Sequence, residues 1–162
     1  MLTASCYEHQ PVIGYTADRL RDFSAALIES LLSTCERVHA WVVLPNHYHV
    51  LLTTLELKRT LSNLGRFHGR TSFQWNGEEA KRGRQVWCNT VDRAMRSEAH
   101  FWATMNYIHH NPVRHGYVSK WQDWPFSSAR EYLESVGETT AADTWRNFPL
   151  KDYGAGWDEP SL

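Results

Sequence analysis

One apolar stretch, Trp41–Leu52 (WVVLPNHYHVLL), constrains the fold of this chain more than any other segment. Its first four residues are continuously apolar, which predicts a strand buried on both faces. Pro45 and Asn46 follow, and this pair is typical of a tight turn, because proline fixes φ and asparagine tolerates turn geometry. The residues after the turn start a second strand. The stretch therefore predicts a hairpin in the middle of a sheet.

Two histidines open the second strand of this hairpin. Side chains two positions apart in a strand point to the same face, so His47 and His49 lie side by side and Tyr48 points to the opposite layer. Two imidazoles on one face form half of a metal site. The chain contains nine histidines, so a chance pair is the alternative. Ligands from elsewhere in the chain have to decide between the two interpretations.

The composition is that of an ordinary globular protein. At 162 residues with 42% hydrophobic content, the chain is long enough for one domain with a real core. It lacks a run of about 18 apolar residues, and its first residues lack the pattern of a signal peptide. The three cysteines are widely spaced and form no CxxC pair. We therefore expect a cytoplasmic protein with no membrane partner.

Charge is unevenly distributed along the chain, although its net value is −1. Residues 57–96 carry nine Lys or Arg and three acidic residues. A basic middle segment is typical of a surface that follows phosphates, and a solvated helix face is the equal alternative. Residues 122–162 carry eight acidic and three basic residues. We predict one folded domain over residues 1–136 and an acidic C-terminal tail over residues 137–162.

The spacing of apolar residues predicts the order of the elements. The expected strands and helices are Leu2–Tyr7, Ala17–Leu32, Glu36–Leu44, Tyr48–Thr53, Leu57–Trp75, a strand within Arg84–Val91, a helix from Ser97 to about His110 and a short helix after residue 126. This order predicts an α+β fold, a ferredoxin-like β-α-β-β-α-β sandwich with an antiparallel sheet and helices on one face, followed by additional C-terminal helices. The first and third strands would be central. The long helix is expected to end before Asn111-Pro112.

The helix that begins at Ser97 carries a second set of candidate residues. Its core stripe contains Met105 and Ile108, and Tyr107 and Asn111 share a face about 100° away. A tyrosine at this polar margin can present its hydroxyl to the sheet. Taken alone, Tyr107 is also a reasonable structural residue, and Asn111 a reasonable helix end-cap.

The two sets make chemical sense together. Two imidazoles and an amide carbonyl give three neutral ligands and leave coordination positions open, which suits a divalent cation held against a phosphodiester. A tyrosine hydroxyl beside that phosphate is a candidate nucleophile. Its ordinary pKa is about 10, so it needs help from the metal or from a base. The sequence leaves open which of these helps.

Four segments in combination resemble the REP-associated tyrosine transposases, bacterial relatives of the single-tyrosine HUH transposases. They are PNHYHVLL, GRQVW, NYIHHNPVRHGYV and WPFSS, and the resemblance runs from about residue 2 to residue 133. It implies a metal-dependent endonuclease and strand transferase of DNA transposition. Its DNA partner would be single-stranded DNA with a hairpin, a REP-like palindrome. The protein would be a monomer or a homodimer.

The same resemblance implies roles for individual residues. His47 and His49 would ligate Mg²⁺ or Mn²⁺, and Tyr107 would attack the scissile phosphate to give a 5′-phosphotyrosine. Asn111 would be the third ligand, at a position where the wider class often has a glutamine.

Contacts to DNA outside this site are predicted from residue type and charge. Aromatic side chains stack on the bases of single strands, and the surface candidates are Trp75, Trp121 and Trp124. The candidate phosphate ligands are Arg66, Arg70, Arg82, Arg84 and Arg114. For Arg114, capping of helix carbonyls is an equal alternative.

Two other functions stay open at this stage. The chain could be a non-catalytic regulator that binds nucleic-acid hairpins on the same fold. It could also be a zinc hydrolase in which Glu56 or His109 joins the histidine pair. Whether Tyr107 serves the histidines of its own subunit or of a partner cannot be read from periodicity.

Overall fold

Four antiparallel strands form the sheet around which the chain folds. The structure is a computed structural model that describes residues 1–151, 153 and 154. The strands are β1 (Leu2–Ser5), β2 (Arg37–Val43), β3 (His47–Thr53) and β4 (Val91–Asp92). Their order in the sheet is β2-β3-β1-β4. The predicted hairpin is therefore β2 and β3, and the first and third strands are central, as predicted.

Helices cover both faces of this sheet. They are α1 (Ala17–Leu32), α2 (Leu57–Glu78), α3 (Glu98–Arg114) and α4 (Ala129–Asn147). One core cluster joins α1 and α2 to the face of the sheet that carries Tyr48 and Val50. The second cluster joins α3 to the opposite face through Val42 and Leu51. The predicted α+β fold is confirmed. Helices α1 and α2 share one face, as predicted, and the additional helix α3 covers the other.

The alternation of β3 assigns its side chains to these two layers. Tyr48 is fully buried in the layer of α1 and α2, where its hydroxyl lies 3.0 Å from His68 Nε2. Burial raises the pKa of Tyr48 and lowers that of His68 to about 4, so the hydroxyl donates to a neutral imidazole. The His68 ring also stacks on Trp87, with centroids 4.2 Å apart. His47 and His49 consequently face α3.

Hydroxyl side chains begin two of the helices. Thr16 accepts a hydrogen bond from the Arg19 backbone amide at α1, and Ser97 accepts one from the His100 amide at α3. Such caps satisfy amides that lack a helical partner.

The expected end of α3 before Asn111 is wrong, because the helix continues to Arg114 with Pro112 inside it. Proline removes one amide hydrogen bond, but here the loss falls in the last turn. Pro112 is buried, and the His115 amide still bonds to the Asn111 carbonyl at 3.0 Å. Packing therefore outweighs the local preference. Asn111 is a helical residue rather than a cap.

The fourth strand lies later in the chain than predicted. Trp87 makes only an isolated bridge with Cys6, and the paired strand is Val91–Asp92. The reason is that β1 ends at Ser5 and turns into a 3₁₀ segment at Tyr7–His9, so a ladder opposite Trp87 cannot extend.

Trp75 is also misplaced by the sequence-based prediction. It is only 4% exposed and packs in the core beside Phe23, so it cannot stack on DNA in this conformation. The reason is that Trp75 lies seven residues after His68, on the face of α2 that also buries Leu64 and Phe67.

The WPFSS segment covers the edge of β2. The Val43 amide donates to the Phe126 carbonyl at 2.9 Å, and the Ser128 amide donates to the Trp41 carbonyl at 3.0 Å. The Trp124 indole donates to the Val43 carbonyl at 3.0 Å. An uncovered edge would invite pairing with another strand. This motif therefore has a structural task in the sheet.

The end of the described chain packs on α3. Helix α4 is interrupted at Gly137, where φ is 81°. Beyond this break, the Asn106 amide group donates to the carbonyls of Thr144 and Phe148. The predicted boundary after residue 136 falls beside the break and stays a prediction. Residues 152 and 155–162 of the predicted tail lie outside the described residues.

No helix in the described part of the chain combines the length and the hydrophobicity that crossing a membrane requires. Cytoplasmic residence stays a prediction, as does the choice between monomer and homodimer.

Replacing His68 by Gln should reduce the pH dependence of stability. The folded-state pKa of His68, about 4, lies below its usual 6.5, so its contribution is complete above pH 6.5 and is lost as the pH falls towards 4. The loss amounts to at most about 3 kcal/mol. Urea unfolding from pH 4 to 9 measures it. The free energies of unfolding of the two proteins should change in parallel above pH 7. If His68→Gln loses as much stability as the wild type below that pH, His68 is not the group responsible.

Candidate metal and nucleophile site

The histidine pair occupies the centre of the sheet on the face of α3. Strand β3 pairs with β1 and β2 on its two sides, and in the register with β1 His49 lies opposite Thr3 and His47 opposite Ser5. His47 is 2% exposed and His49 is fully buried. Their ring centroids are 5.0 Å apart. The sequence-based expectation of two neighbouring imidazoles on one face is met.

Helix α3 brings the other two candidate residues onto this pair. His47 Nε2 lies 3.2 Å from Asn111 Oδ1. The Tyr107 ring lies 5.2 Å from the His49 ring, measured between centroids. Residues four apart in a helix share a face, so α3 presents Tyr107 and Asn111 to the sheet together. All four side chains meet within one chain.

The predicted position of Tyr107 at a polar margin is wrong. Its side chain is fully buried in a cluster with Met105 and Ile108. Helix α3 lies between the sheet and α4, so a wider arc of its surface is buried than one apolar stripe indicates. The hydroxyl-bearing ring is therefore part of the packed interior.

Each imidazole has a polar contact at its Nδ1 atom. Asn46 Oδ1 lies 2.8 Å from His47 Nδ1, and Thr3 Oγ1 lies 2.8 Å from His49 Nδ1. Histidines that bind metals use the second ring nitrogen in this way, which fixes the orientation of the ring. The arrangement is suited to coordination through the Nε2 atoms. The sequence-based prediction missed both partners, although Asn46 directly precedes His47.

The donor set fits a cation that accepts nitrogen and oxygen ligands. The described residues contain no group of three or more His, Cys, Asp and Glu side chains that could hold a metal. His109 is bonded to Ser128 at 3.0 Å, and Glu56 is exposed at the start of α2, so neither joins the pair. Asn111 is the candidate third ligand, and a set of two imidazoles and one amide oxygen suits Mn²⁺ or Mg²⁺ better than a closed zinc site.

One further histidine near the pair was missed. The His115 ring lies 5.0 Å from the His47 ring, on the exposed end of α3. His115 directly follows the last residue of α3, and no spacing rule relates it to His47 in the sequence.

The last described residues close the site from outside. We call Leu150, Tyr153 and Gly154 the C-terminal strap. Gly154 packs so closely on Tyr107 that a Cβ atom there would overlap the tyrosine ring. Tyr153 bonds to Thr104, and Arg114 donates to the Gly154 carbonyl at 2.9 Å. The strap was not foreseen, because its hydrogen bonds join residues that are 40 and 49 positions apart in the sequence.

The predicted phosphate ligands fall into different environments. Arg66 and Arg70 are exposed on α2, across the sheet from Tyr107. Arg82 bonds to the Phe73 carbonyl at 2.6 Å. Arg84 forms two hydrogen bonds with Glu79, whose pKa it lowers to about 2. Arg84 therefore already holds a carboxylate, whereas Arg66 and Arg70 present their side chains to solvent. Contacts of these residues with DNA stay predictions.

The fold and the site together define an α+β protein with a histidine pair, an amide and a tyrosine on one sheet face. Compared with known proteins, the chain is 32% identical over 99 residues to the REP-associated tyrosine transposase of Escherichia coli K12. That match covers 56% of this chain and 53% of the relative, so it spans about half the length of the E. coli protein. A relative of the same family name from Haemophilus influenzae is 27% identical over 129 residues, 71% of each chain.

A solved structure is also similar to this fold. It is the structure of a REP-associated tyrosine transposase bound to a REP hairpin, with a TM-score of 0.59 at 20% identity. The similarity covers 80% of this chain and 75% of the other. The sequence matches no protein-family model. The resemblance to the REP-associated tyrosine transposases is confirmed by the two named relatives and by the shared fold.

Gly154→Ala should open the strap over Tyr107. The residue has a φ of 78°, which costs an L residue about 1–2 kcal/mol, and the added methyl group meets the tyrosine ring. We expect nitration of Tyr107 by tetranitromethane, followed by peptide mass spectrometry, to become about tenfold faster.

Gly137→Ala is the matched control, because Gly137 has a φ of 81° and no atom within 4 Å of its added methyl group. Tyr107 in this variant should react at the wild-type rate. Equal rates in both variants and the wild type would mean that the strap does not protect Tyr107.

Proposed function

We propose that the chain is a metal-dependent single-stranded DNA endonuclease and strand transferase that acts at REP-like hairpins. One observation carries the proposal: Tyr107 and Asn111 on α3 meet His47 and His49 on β3 within a single chain. The relatives that the chain resembles are named tyrosine transposases, and the similar solved structure is bound to a REP hairpin. These names support the substrate class, and the arrangement of the four side chains supports the reaction.

The proposed reaction is a transesterification by Tyr107. Its hydroxyl oxygen attacks the scissile phosphorus, the bond from phosphorus to the 3′ oxygen breaks, and a 5′-phosphotyrosine forms. The phenolic hydrogen is lost and the leaving 3′ oxygen takes up a proton, so no co-reactant is consumed. In the reverse reaction, a free 3′-OH attacks the phosphotyrosine of another strand. This attack releases Tyr107 and joins the two DNA ends. The buried position of the Tyr107 ring, 5.2 Å from the His49 ring between centroids, supports this role.

His47, His49 and Asn111 would hold Mg²⁺ or Mn²⁺ in this proposal. When bound, the cation supplies polarisation of a phosphoryl oxygen and charge neutralisation. The protein contributes rigid ligands, because β3 lies between two hydrogen-bonded strands and α3 is packed on both sides. Asn111 has a shorter side chain than the glutamine of the wider class, and α3 compensates by lying close enough for the 3.2 Å contact with His47.

The closed strap adds a requirement to the proposal. Tyr107 is fully buried and Gly154 packs on its ring, so a phosphodiester can reach the hydroxyl only after the strap moves. Arg114 would then lose its bond to the Gly154 carbonyl and become available to the DNA backbone. The Arg114 guanidinium carbon lies 5.8 Å from the centroid of the Tyr107 ring, which supports the proposed role of Arg114 as a phosphate ligand.

Arg66 and Arg70 would contact another part of the DNA. They lie on α2, which packs on the face of the sheet opposite to α3 and Tyr107. They cannot hold the scissile phosphate, and we assign them to the hairpin stem or to flanking single strand.

A non-catalytic hairpin-binding regulator is the second candidate. The observation that favours it is the complete burial of Tyr107 under the strap. Such a protein would bind the hairpin and leave the DNA intact with or without metal.

Tyr107→Phe decides between these two functions. It should bind the hairpin like the wild type, lose the covalent adduct, and cleave more than about a thousandfold more slowly, because the nucleophile is gone. A labelled REP-like hairpin with flanking single strands, incubated with Mn²⁺, measures both quantities. Tyr132→Phe, at a half-buried tyrosine outside the site, is the control and should stay active. An intact substrate with the wild-type protein would favour the regulator.

The double variant Arg66→Ala/Arg70→Ala should weaken hairpin binding and leave chemistry unchanged. Two lost phosphate contacts lower the slope of log affinity against log salt by about 2. The cleavage rate at saturating DNA should equal that of the wild type, since the arginines lie across the sheet. Arg146→Ala, at an exposed arginine paired with Asp143, is the control. An unchanged salt slope would remove α2 from the DNA interface.

A further inference from the structure

The side chain of Asn46 is held in one orientation by a neighbour that can only accept hydrogen bonds. Its Nδ2 group lies 3.2 Å from the backbone carbonyl of His9 and donates to it. The amide oxygen therefore points the other way, at His47 Nδ1, 2.8 Å away. The Asn46 backbone is fixed as well, because its carbonyl accepts from the Cys6 amide at 2.7 Å.

The His9 carbonyl is presented to Asn46 by an unusual turn. Glu8 and His9 both have positive φ values, 52° and 51°, in a region that residues other than glycine rarely adopt. The His9 amide bonds back to the Cys6 carbonyl at 3.0 Å and closes the turn. Strained backbone of this kind persists where surrounding contacts demand it, and it is frequent beside functional sites. Here the turn supplies the acceptor that orients Asn46.

The orientation of Asn46 decides which nitrogen of His47 carries hydrogen. An amide oxygen only accepts, so the hydrogen must lie on His47 Nδ1. In the neutral ring, Nε2 then has a lone pair, and it faces Asn111 Oδ1 at 3.2 Å. Two lone pairs that face each other do not attract, and a cation between such atoms would be held by both.

The contact at the second imidazole is less restrictive. Thr3 Oγ1 lies 2.8 Å from His49 Nδ1, and a hydroxyl can either donate or accept. Thr3 therefore allows both tautomers of His49, whereas Asn46 allows one tautomer of His47. This difference singles out Asn46.

We propose that Asn46 is a positioning residue that fixes the hydrogen of His47 on Nδ1 and so makes Nε2 the metal-binding atom. The strained turn at Glu8 and His9 holds Asn46 in the orientation that this role requires. The proposal rests on the metal site of the proposed function and adds a residue to it that does not touch the metal. Asn46 acts through His47.

The tautomer of His47 can be measured without metal or DNA. Nitrogen-15 NMR of the imidazoles in the metal-free protein, with His47 assigned by its absence in His47→Gln, separates the two ring forms. The wild type should show hydrogen on Nδ1, and Asn46→Ala should show a mixture of both forms. Hydrogen on Nε2 in the wild type would overturn the proposal, even if Asn46→Ala fails to fold.

Mn²⁺ affinity, followed by electron paramagnetic resonance of the free ion, tests the consequence. Asn46→Ala should bind about 10- to 100-fold more weakly, and Asn46→Asp, which keeps an acceptor oxygen, should stay within about threefold of the wild type. Asn63→Ala is the control, because Asn63 also donates to a backbone carbonyl, that of Ser30, but lies far from the site. It should bind Mn²⁺ like the wild type.

The outcomes separate this proposal from the proposed function. If the wild type and Asn46→Ala bind Mn²⁺ with equal affinity, the proposed role of Asn46 is overturned and the metal site stands. A wild type that does not bind Mn²⁺ overturns the metal site itself, and the coordination role of Asn46 with it. Weak binding by Asn46→Ala with rescue by Asn46→Asp supports the proposal.

Discussion

The alternation of side chains along β3 is the constraint on which the site depends. Because successive residues of a strand face opposite layers, Tyr48 is committed to α1 and α2, and the two imidazoles are committed to α3. The neighbouring strands β1 and β2 bond to β3 on both sides and fix its register. A shift by one residue would exchange the two layers and bury the tyrosine against α3. The position of the histidines is therefore determined by the core of the other layer.

Helix α3 completes the site by packing. Its middle part, residues 104–109, is buried, covered by the sheet on one side and by α4 and the C-terminal strap on others. Its last turn continues through Pro112, so Asn111 keeps a helical position from which it reaches His47. The same close packing places Gly154 on Tyr107. The contacts that assemble the residues are thus also the contacts that shield them.

Sequence reasoning predicted the hairpin and the pairing of candidate residues on one face of a strand and of a helix, because these signals are local. Periodicity placed His47 and His49 on one face, and the four-residue spacing placed Tyr107 and Asn111 on another. Sequence reasoning failed where packing against a segment distant in the sequence overrides the local preference of a residue. Pro112 does not end α3, Trp75 is buried, and β4 begins only at Val91, because β1 is too short to pair with the segment around Trp87.

The sequence by itself determined the strand order, the layer of each hairpin residue and the resemblance to the REP-associated tyrosine transposases. Only the tertiary structure decided that the tyrosine and the histidines meet within one chain, that Asn46 and Thr3 contact the imidazoles, and that the strap closes over the tyrosine. The physical reason is that patterns of two and 3.6 residues report which face a side chain occupies. They carry no information about which distant segment packs on that face, since this is set by the complementarity of surfaces across the whole core.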